Sequence, residues 1–200
     1  MIIVEGARNT GKTYLINETC GMFMNIKNFK FPFFEYYKSL DITSNNTASN
    51  YLTIGRDLTL IEAINQDVMD NDFIMDRGFI SSVVFSKLFR DEKEENLVAF
   101  INAIKNKITE KSKVDIIYIE ADEEARNRNN IPVNRDKDHT ELRELVKNHI
   151  LLPNNYVYWY NWTLEQLTGN EFINIHRMIN TFDIKSETQF LNIVGNIINN

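Results

Sequence analysis

The sequence predicts one α/β domain, a parallel sheet of about five strands with helices on both faces. Three observations predict it. Short apolar runs alternate along the chain with amphipathic stretches. The first run, Met1 to Glu5, opens directly into a glycine-bearing turn followed by a helical pattern. The runs that follow end at Glu35, Asp76 and Glu120, which gathers carboxylates at one end of the sheet. In sheets of this kind, ligands bind beyond the carboxyl ends of the strands.

The elements follow in order. Met1 to Glu5 reads as a buried strand, and Tyr14 to Met24 as the first helix. Phe29 to Phe34 is the second strand, and the polar segment Ser44 to Asn50 reads as a loop. Leu58, Ile61, Ile64 and Met69 give the run Leu58 to Met69 a helical stripe. The third strand, Asp72 to Met75, precedes helices over Ile80 to Phe89 and Asn96 to Ile108. Val114 to Ile119 is the fourth strand. After it comes a polar, proline-interrupted segment, approximately 121–138, that carries Arg126, Arg128 and Arg135 and reads as a lid. Helices over Thr140 to Leu151 and Glu187 to Ile198 flank a weaker fifth strand, Glu171 to Ile175. The aromatics Tyr156, Tyr158, Trp159, Tyr160 and Trp162 read as packing for the C-terminal helices. No repeat or linker divides residues 1–200, so the chain reads as a single domain.

Gly6-Ala7-Arg8-Asn9-Thr10-Gly11-Lys12-Thr13 fits the phosphate-binding loop pattern G-x-x-x-x-G-K-[ST] at every fixed position. A strand, a glycine loop and a helix N-terminus in that order make an anion site. Backbone N–H groups converge there, and the helix dipole favours negative charge. Gly6, Asn9, Thr10, Gly11, Lys12 and Thr13 are the candidate phosphate-binding residues. Lys12 would reach the outer phosphates of a nucleoside triphosphate, and the Thr13 hydroxyl would ligate Mg²⁺.

Asp76 ends an apolar strand downstream of that loop, which suits a carboxylate holding Mg²⁺ directly or through water. Arg77 follows it, and its planar fork matches a phosphate or carboxylate of an acceptor. Glu35 sits among aromatic residues, where partial burial would fit it as a general base for an acceptor hydroxyl. The lid arginines would neutralise charge on a transferring phosphoryl group. Lys105, Lys107, Lys111 and Lys113 cluster near a helix C-terminus, where positive charge is favourable by itself. His139, His149 and His176 show no ligand spacing, so no structural metal is expected.

Composition sets the boundaries. A hydrophobic fraction of 43% and a charged fraction of 25% suit a folded globular domain. A formal charge of −6 argues against a general nucleic-acid coat. The single cysteine, Cys20, reads as a small core residue and excludes a disulfide scaffold. No apolar run approaches the length of a membrane span, and no leader precedes the first strand, so a cytoplasmic protein is expected. Richness in Asn, Ile and Lys suggests an AT-rich coding source such as a phage or a low-GC bacterium.

Gly6 to Thr13, Asp76-Arg77 followed by Ser81 and Ser82, and the Arg126/Arg128/Arg135 segment together resemble the thymidylate kinase and deoxynucleoside kinase superfamily. The likeness spans roughly residues 1 to 150 and implies a three-layer P-loop fold. It implies ATP as phosphate donor, Mg²⁺ as cofactor, and an acceptor-side role for Arg77. By the same resemblance Glu35 takes the place of the carboxylate after strand two, although Tyr36-Tyr37 follows it where those kinases often carry proline. Dimers are common in these families.

The expected function is therefore transfer of the γ-phosphate of ATP to a nucleoside or nucleotide. Either Glu35 or Asp76 would serve as base. One alternative keeps this machinery and makes the acceptor DNA, at a hydroxymethylated base or a 5′-hydroxyl. An alternative of another class is a nucleotide-binding regulatory module with no acceptor.

Overall fold

A computed structural model of the protein describes residues 1–7, 10–23, 25–29, 47–121 and 153–199. Its elements are β1 (Ile2–Glu5), α1 (Lys12–Met22), β2 (Lys27–Phe29), α2 (Thr47–Asn65), β3 (Phe73–Asp76) and α3 (Phe79–Arg90). Then come α4 (Glu94–Lys107), β4 (Val114–Ala121), α5 (Pro153–Gln166), β5 (Ile173–Asn180) and α6 (Ile184–Ile198). The five strands form one parallel sheet in the order β2-β3-β1-β4-β5. β1 is central, with Ile3 paired to Met75 on one side and to Ile116 on the other.

Both faces of the sheet are covered, which is why β1 is apolar at successive positions rather than at alternate ones. Ile2, Val4, Ile74, Ile117 and Ile119 pack with Leu15 and Ile16 of α1 and Phe190 and Val194 of α6. Ile3, Met75, Ile116 and Tyr118 point the other way, into a larger core with Ile61, Val83, Ile104 and Tyr160. The predicted three-layer α/β class is what the chain forms.

Several boundaries differ from the sequence expectation. α2 begins at Thr47, inside the segment read as a polar loop. Its first turns hold Thr, Asn and Ser, which favour caps and turns, and the apolar stripe begins only later in the helix. Residues Tyr156 to Trp162 are themselves helical, within α5. Tyr156, Tyr160 and Leu164 recur every fourth residue and are all buried, so the aromatics form one face of that helix. β2 starts two residues earlier than predicted, at Lys27. β5 runs on to Asn180, because an edge strand can carry His176 and Arg177 and does not read as an apolar run. Cys20 is half-buried and packs against the core on the α1 face. The predicted lid and the helix over 140–151 lie outside the described residues.

One buried carboxylate ties the sheet to the other layer. Glu5 is fully buried at the end of β1. Its Oε1 accepts the N–H groups of Gly78 at 2.8 Å and Ser81 at 3.2 Å. It thereby satisfies backbone donors at the start of α3 that no local cap provides. Its Oε2 meets the Ser81 hydroxyl, which lies 2.9 Å from the Tyr160 hydroxyl. Tyr160 in turn donates to the Gly6 carbonyl at 3.0 Å.

The contacts along this chain favour a protonated Glu5. A protonated Glu5 donates to Ser81, Ser81 to Tyr160 and Tyr160 to Gly6, so every contact holds one hydrogen. An ionised Glu5 draws the single Ser81 hydrogen to itself and leaves the Ser81–Tyr160 contact without one while Tyr160 stays on Gly6. Burial agrees, pushing the Glu5 carboxyl from 4.5 up to about 7 against the opposing hydrogen bonds and Arg77.

A carboxyl raised on folding stabilises the protein below its unfolded value, and that stability is lost as pH rises through the folded value. Here the window runs from 4.5 to about 7 and is worth on the order of 3 kcal/mol. Asp57, raised by burial from 3.8 to about 6, contributes lower in the same range. Between about pH 6 and about pH 7.5, Glu5 should therefore lower the melting temperature by about 3 °C. Glu5→Gln keeps the Oε1 acceptor and places a donor where Oε2 was, so its thermal melts should lose that slope. A variant that keeps the full wild-type slope would assign it to another group.

Candidate active site

The loop leaves β1 in a conformation that only glycine suits. Gly6 has φ +145°, and a Cβ there would lie 2.2 Å from the Ile119 carbonyl oxygen of β4. Gly11 has φ +85°, and a Cβ there would lie 2.4 Å from the Asn180 side-chain nitrogen. The two fixed glycines of the motif thus mark two places where the loop passes too close to its neighbours for a side chain. α1 begins at Lys12 with no side chain capping its first N–H groups. Those donors and the helix dipole face the loop, the arrangement that binds anions.

Lys12 is buried, and its amine folds back on the loop, 2.5 Å from the Ala7 carbonyl and 3.1 Å from the Thr10 hydroxyl. Burial pushes its pKa well below the usual lysine range, and the nearby Arg77 adds to that push. The Thr13 hydroxyl donates to Asp76 Oδ2 at 2.5 Å, joining residues 63 positions apart. Asp76 stands at the end of β3, beside β1 in the sheet, so strand register brings it to the loop.

Arg77 adopts a left-handed φ of 72°, rare for a non-glycine residue, while its N–H bonds to the Val4 carbonyl at 3.0 Å. Strain of this kind, held by the surrounding structure, concentrates at functional sites. Its guanidinium lies 5.1 Å from the centre of the Phe85 ring. Arg77 Nη1 and Asp76 Oδ1 are both buried, and neither has a hydrogen-bond partner among the described residues. A buried donor and a buried acceptor left open on consecutive residues are costly, and both suit a ligand that supplies the missing contacts.

The structure therefore brings together Gly6, Thr10, Gly11, Lys12, Thr13, Asp76 and Arg77. Asn9, Glu35, Arg126, Arg128 and Arg135 lie outside the described residues. No cluster of three or more His, Cys, Asp or Glu side chains occurs among the described residues, so a metal here would rest on Thr13 and Asp76. His176 bonds Asp115, away from the loop and toward the amino end of the strands.

Three groups were given no part in the site by sequence reasoning, which named Tyr160 only as packing and Ser82 only in the family likeness. Asn180, at the end of β5, donates to the Thr10 carbonyl at 2.9 Å. Tyr160 holds the opposite end of the loop, with Glu5 behind it through Ser81. Arg56 and Asp57 pair on α2, and Ser82 of α3 donates to Asp57 at 3.3 Å. Only Glu5 had a local signal, as an acidic residue ending an otherwise apolar strand. The lysine cluster is occupied locally: Lys107 pairs with Glu62 at 2.7 Å, Lys111 with Asp67 at 2.5 Å, and Lys105 bonds the Gln166 and Thr168 carbonyls. No described helix is long and apolar enough to cross a membrane.

No protein-family model and no curated protein matches the chain. Solved structures do. Thymidylate kinase from Candida albicans superposes with a TM-score of 0.60 at 16% identity, over 99% of this chain and 92% of that one. Deoxyadenosine kinase from M. mycoides, with dCMP and dCDP bound, gives 0.57 at 15% identity, over 99% and 98%. The YorR protein of Bacillus subtilis, in complex with phosphorylated GDP, gives 0.55 at 18% identity, over 98% and 94%. At these identities the likeness is one of fold, and it spans nearly the whole of each chain. With its five-stranded parallel sheet and its loop between β1 and α1, the protein has the P-loop kinase fold.

Proposed function

We propose that the protein is an ATP- and Mg²⁺-dependent phosphotransferase acting on a nucleoside or nucleotide. The observation that carries this reading is the bond between Thr13 and Asp76 beside Lys12, with Asp76 Oδ1 and Arg77 Nη1 left open. A nucleotide binder needs the loop alone. The pairing of a loop threonine with a strand-end carboxylate, and a half-buried arginine next to it, adds the groups that phosphoryl transfer requires.

Loop N–H groups and the α1 terminus would hold the donor phosphates, and Lys12 would exchange the Ala7 carbonyl for phosphate oxygens. The open Asp76 oxygen and the Thr13 hydroxyl are hard oxygen donors that suit Mg²⁺. When bound, Mg²⁺ supplies charge neutralisation on the donor phosphates. An acceptor oxygen forms the new bond to the γ-phosphorus as the bond to the bridging oxygen breaks, and ADP leaves with that electron pair. Arg77, with Arg126, Arg128 and Arg135, would stabilise the charge on the transferring group. A hydroxyl acceptor gives its proton to Glu35 or Asp76, whereas a phosphate acceptor needs no base and relies more on Arg77.

Transfer of label from γ-labelled ATP tests the reading, using deoxynucleosides, their monophosphates and single- and double-stranded DNA as acceptors. Label should move to a small-molecule acceptor, and Lys12→Ala should lower the rate by about 10²- to 10³-fold. Label on DNA alone would replace the acceptor class, and ATP binding without transfer to anything would leave a regulatory module. Asp76→Asn keeps the size and the Thr13 contact but removes the charge. It should raise the Mg²⁺ needed for half-maximal rate by at least about tenfold. An unchanged Mg²⁺ dependence would place the metal elsewhere.

A further inference from the structure

The phosphate loop is gripped from outside at both of its ends. The first grip is Tyr160, whose hydroxyl donates to the Gly6 carbonyl at 3.0 Å. The second is Asn180, whose side-chain amide donates to the Thr10 carbonyl at 2.9 Å. Both side chains are almost completely buried, at 0% and 2% exposure, and neither belongs to the loop, to α1 or to β3.

Each donor has its orientation decided by a second contact. The Asn180 Oδ1 accepts the Phe182 N–H at 2.8 Å, so the amide nitrogen must face Thr10. The Tyr160 ring stacks on Tyr118 with centroids 5.2 Å apart, which aims the hydroxyl at the loop. Burial also keeps that hydroxyl protonated, as a donor, far above the usual tyrosine range.

A trans peptide turns the carbonyl of one residue and the N–H of the next in opposite directions. Drawing the Gly6 carbonyl out to Tyr160 therefore turns the Ala7 N–H away from Tyr160. Drawing the Thr10 carbonyl out to Asn180 likewise turns the Gly11 N–H away from Asn180. Without these contacts the two peptide planes are less firmly held, and an anion would have to order them on binding. We propose that Tyr160 and Asn180 are positioning residues that set the phosphate loop's peptide planes before a phosphate arrives. This rests on the reading that the loop binds nucleotide phosphates.

The test is calorimetric titration of wild type, Tyr160→Phe and Asn180→Ala with two ligands, each with Mg²⁺: ATP and inorganic tripolyphosphate. Tyr160→Phe removes one oxygen and leaves the stacked ring, so it retains the fold, and thermal melts of the free proteins check both variants. Each variant should weaken both ligands by about fivefold, the worth of one hydrogen bond, because tripolyphosphate has only the loop to bind. The acceptor KM should stay within about twofold of wild type, a split that general loosening of the fold would not give. Variants that bind both ligands as wild type does would overturn the proposal. So would variants that lose ATP but keep tripolyphosphate, since they would then act on the base. If wild type itself binds neither ligand, the reading of the loop fails first and the proposal falls with it.

Discussion

The contact between Gly6 and the Ile119 carbonyl constrains everything at the carboxyl end of the sheet. A Cβ built on Gly6 would lie 2.2 Å from that oxygen, so the chain can turn off β1 against β4 only where no side chain exists. That turn places α1 over one face with its N-terminus toward the loop. It also leaves Glu5, the last residue of β1, fully buried and pointing at the start of α3. Asp76 ends β3 and Arg77 follows it before α3, so the carboxylate that caps the helix also fixes the segment carrying them. One close backbone contact thereby sets both the anion site and the residues beside it.

The electrostatics of the site follow from burial. Burial disfavours the charge of Lys12, and the nearby Arg77 guanidinium adds to that push. Asp76 and Glu5 offset that push on Lys12 in part, but Glu5 is itself driven toward its neutral form by desolvation. A polyanion resolves this balance better than a neutral ligand does, because it meets both cations and the uncapped helix terminus at once. The open Arg77 Nη1 and Asp76 Oδ1 point to the same chemistry, a ligand that carries both oxygen acceptors and a cation.

The sequence made the centre of this site readable and left its supports hidden. Gly6, Gly11, Lys12 and Thr13 stand within one short segment at fixed spacing, since a loop that wraps an anion needs its residues consecutive. Asp76 was readable because an apolar strand ending in a carboxylate is a local pattern. Asn180 and Tyr160 act on the loop from 170 and 154 positions away, and nothing next to them in sequence marks them. Tyr160 looks like any core aromatic until α5 is seen to place it under Gly6. The strands' alternation with helices gave the layers, while α2 and β5 extended past their apolar patterns because packing, not propensity, sets their ends. Glu35 and the lid arginines remain readings of the sequence.

The central claim is that the loop, Lys12, Thr13, Asp76 and Arg77 form one site for a metal-bound triphosphate. A crystal structure with Mg²⁺ and a non-hydrolysable ATP analogue tests it most directly. The account predicts phosphates within the loop, Lys12 drawn off the Ala7 carbonyl onto a phosphate oxygen, and the metal between Thr13 and Asp76. It also predicts that the Tyr160 and Asn180 contacts to the loop stay as they are. A nucleotide bound elsewhere, or one bound in the loop with Lys12 still on Ala7 and no metal at Asp76, would contradict it.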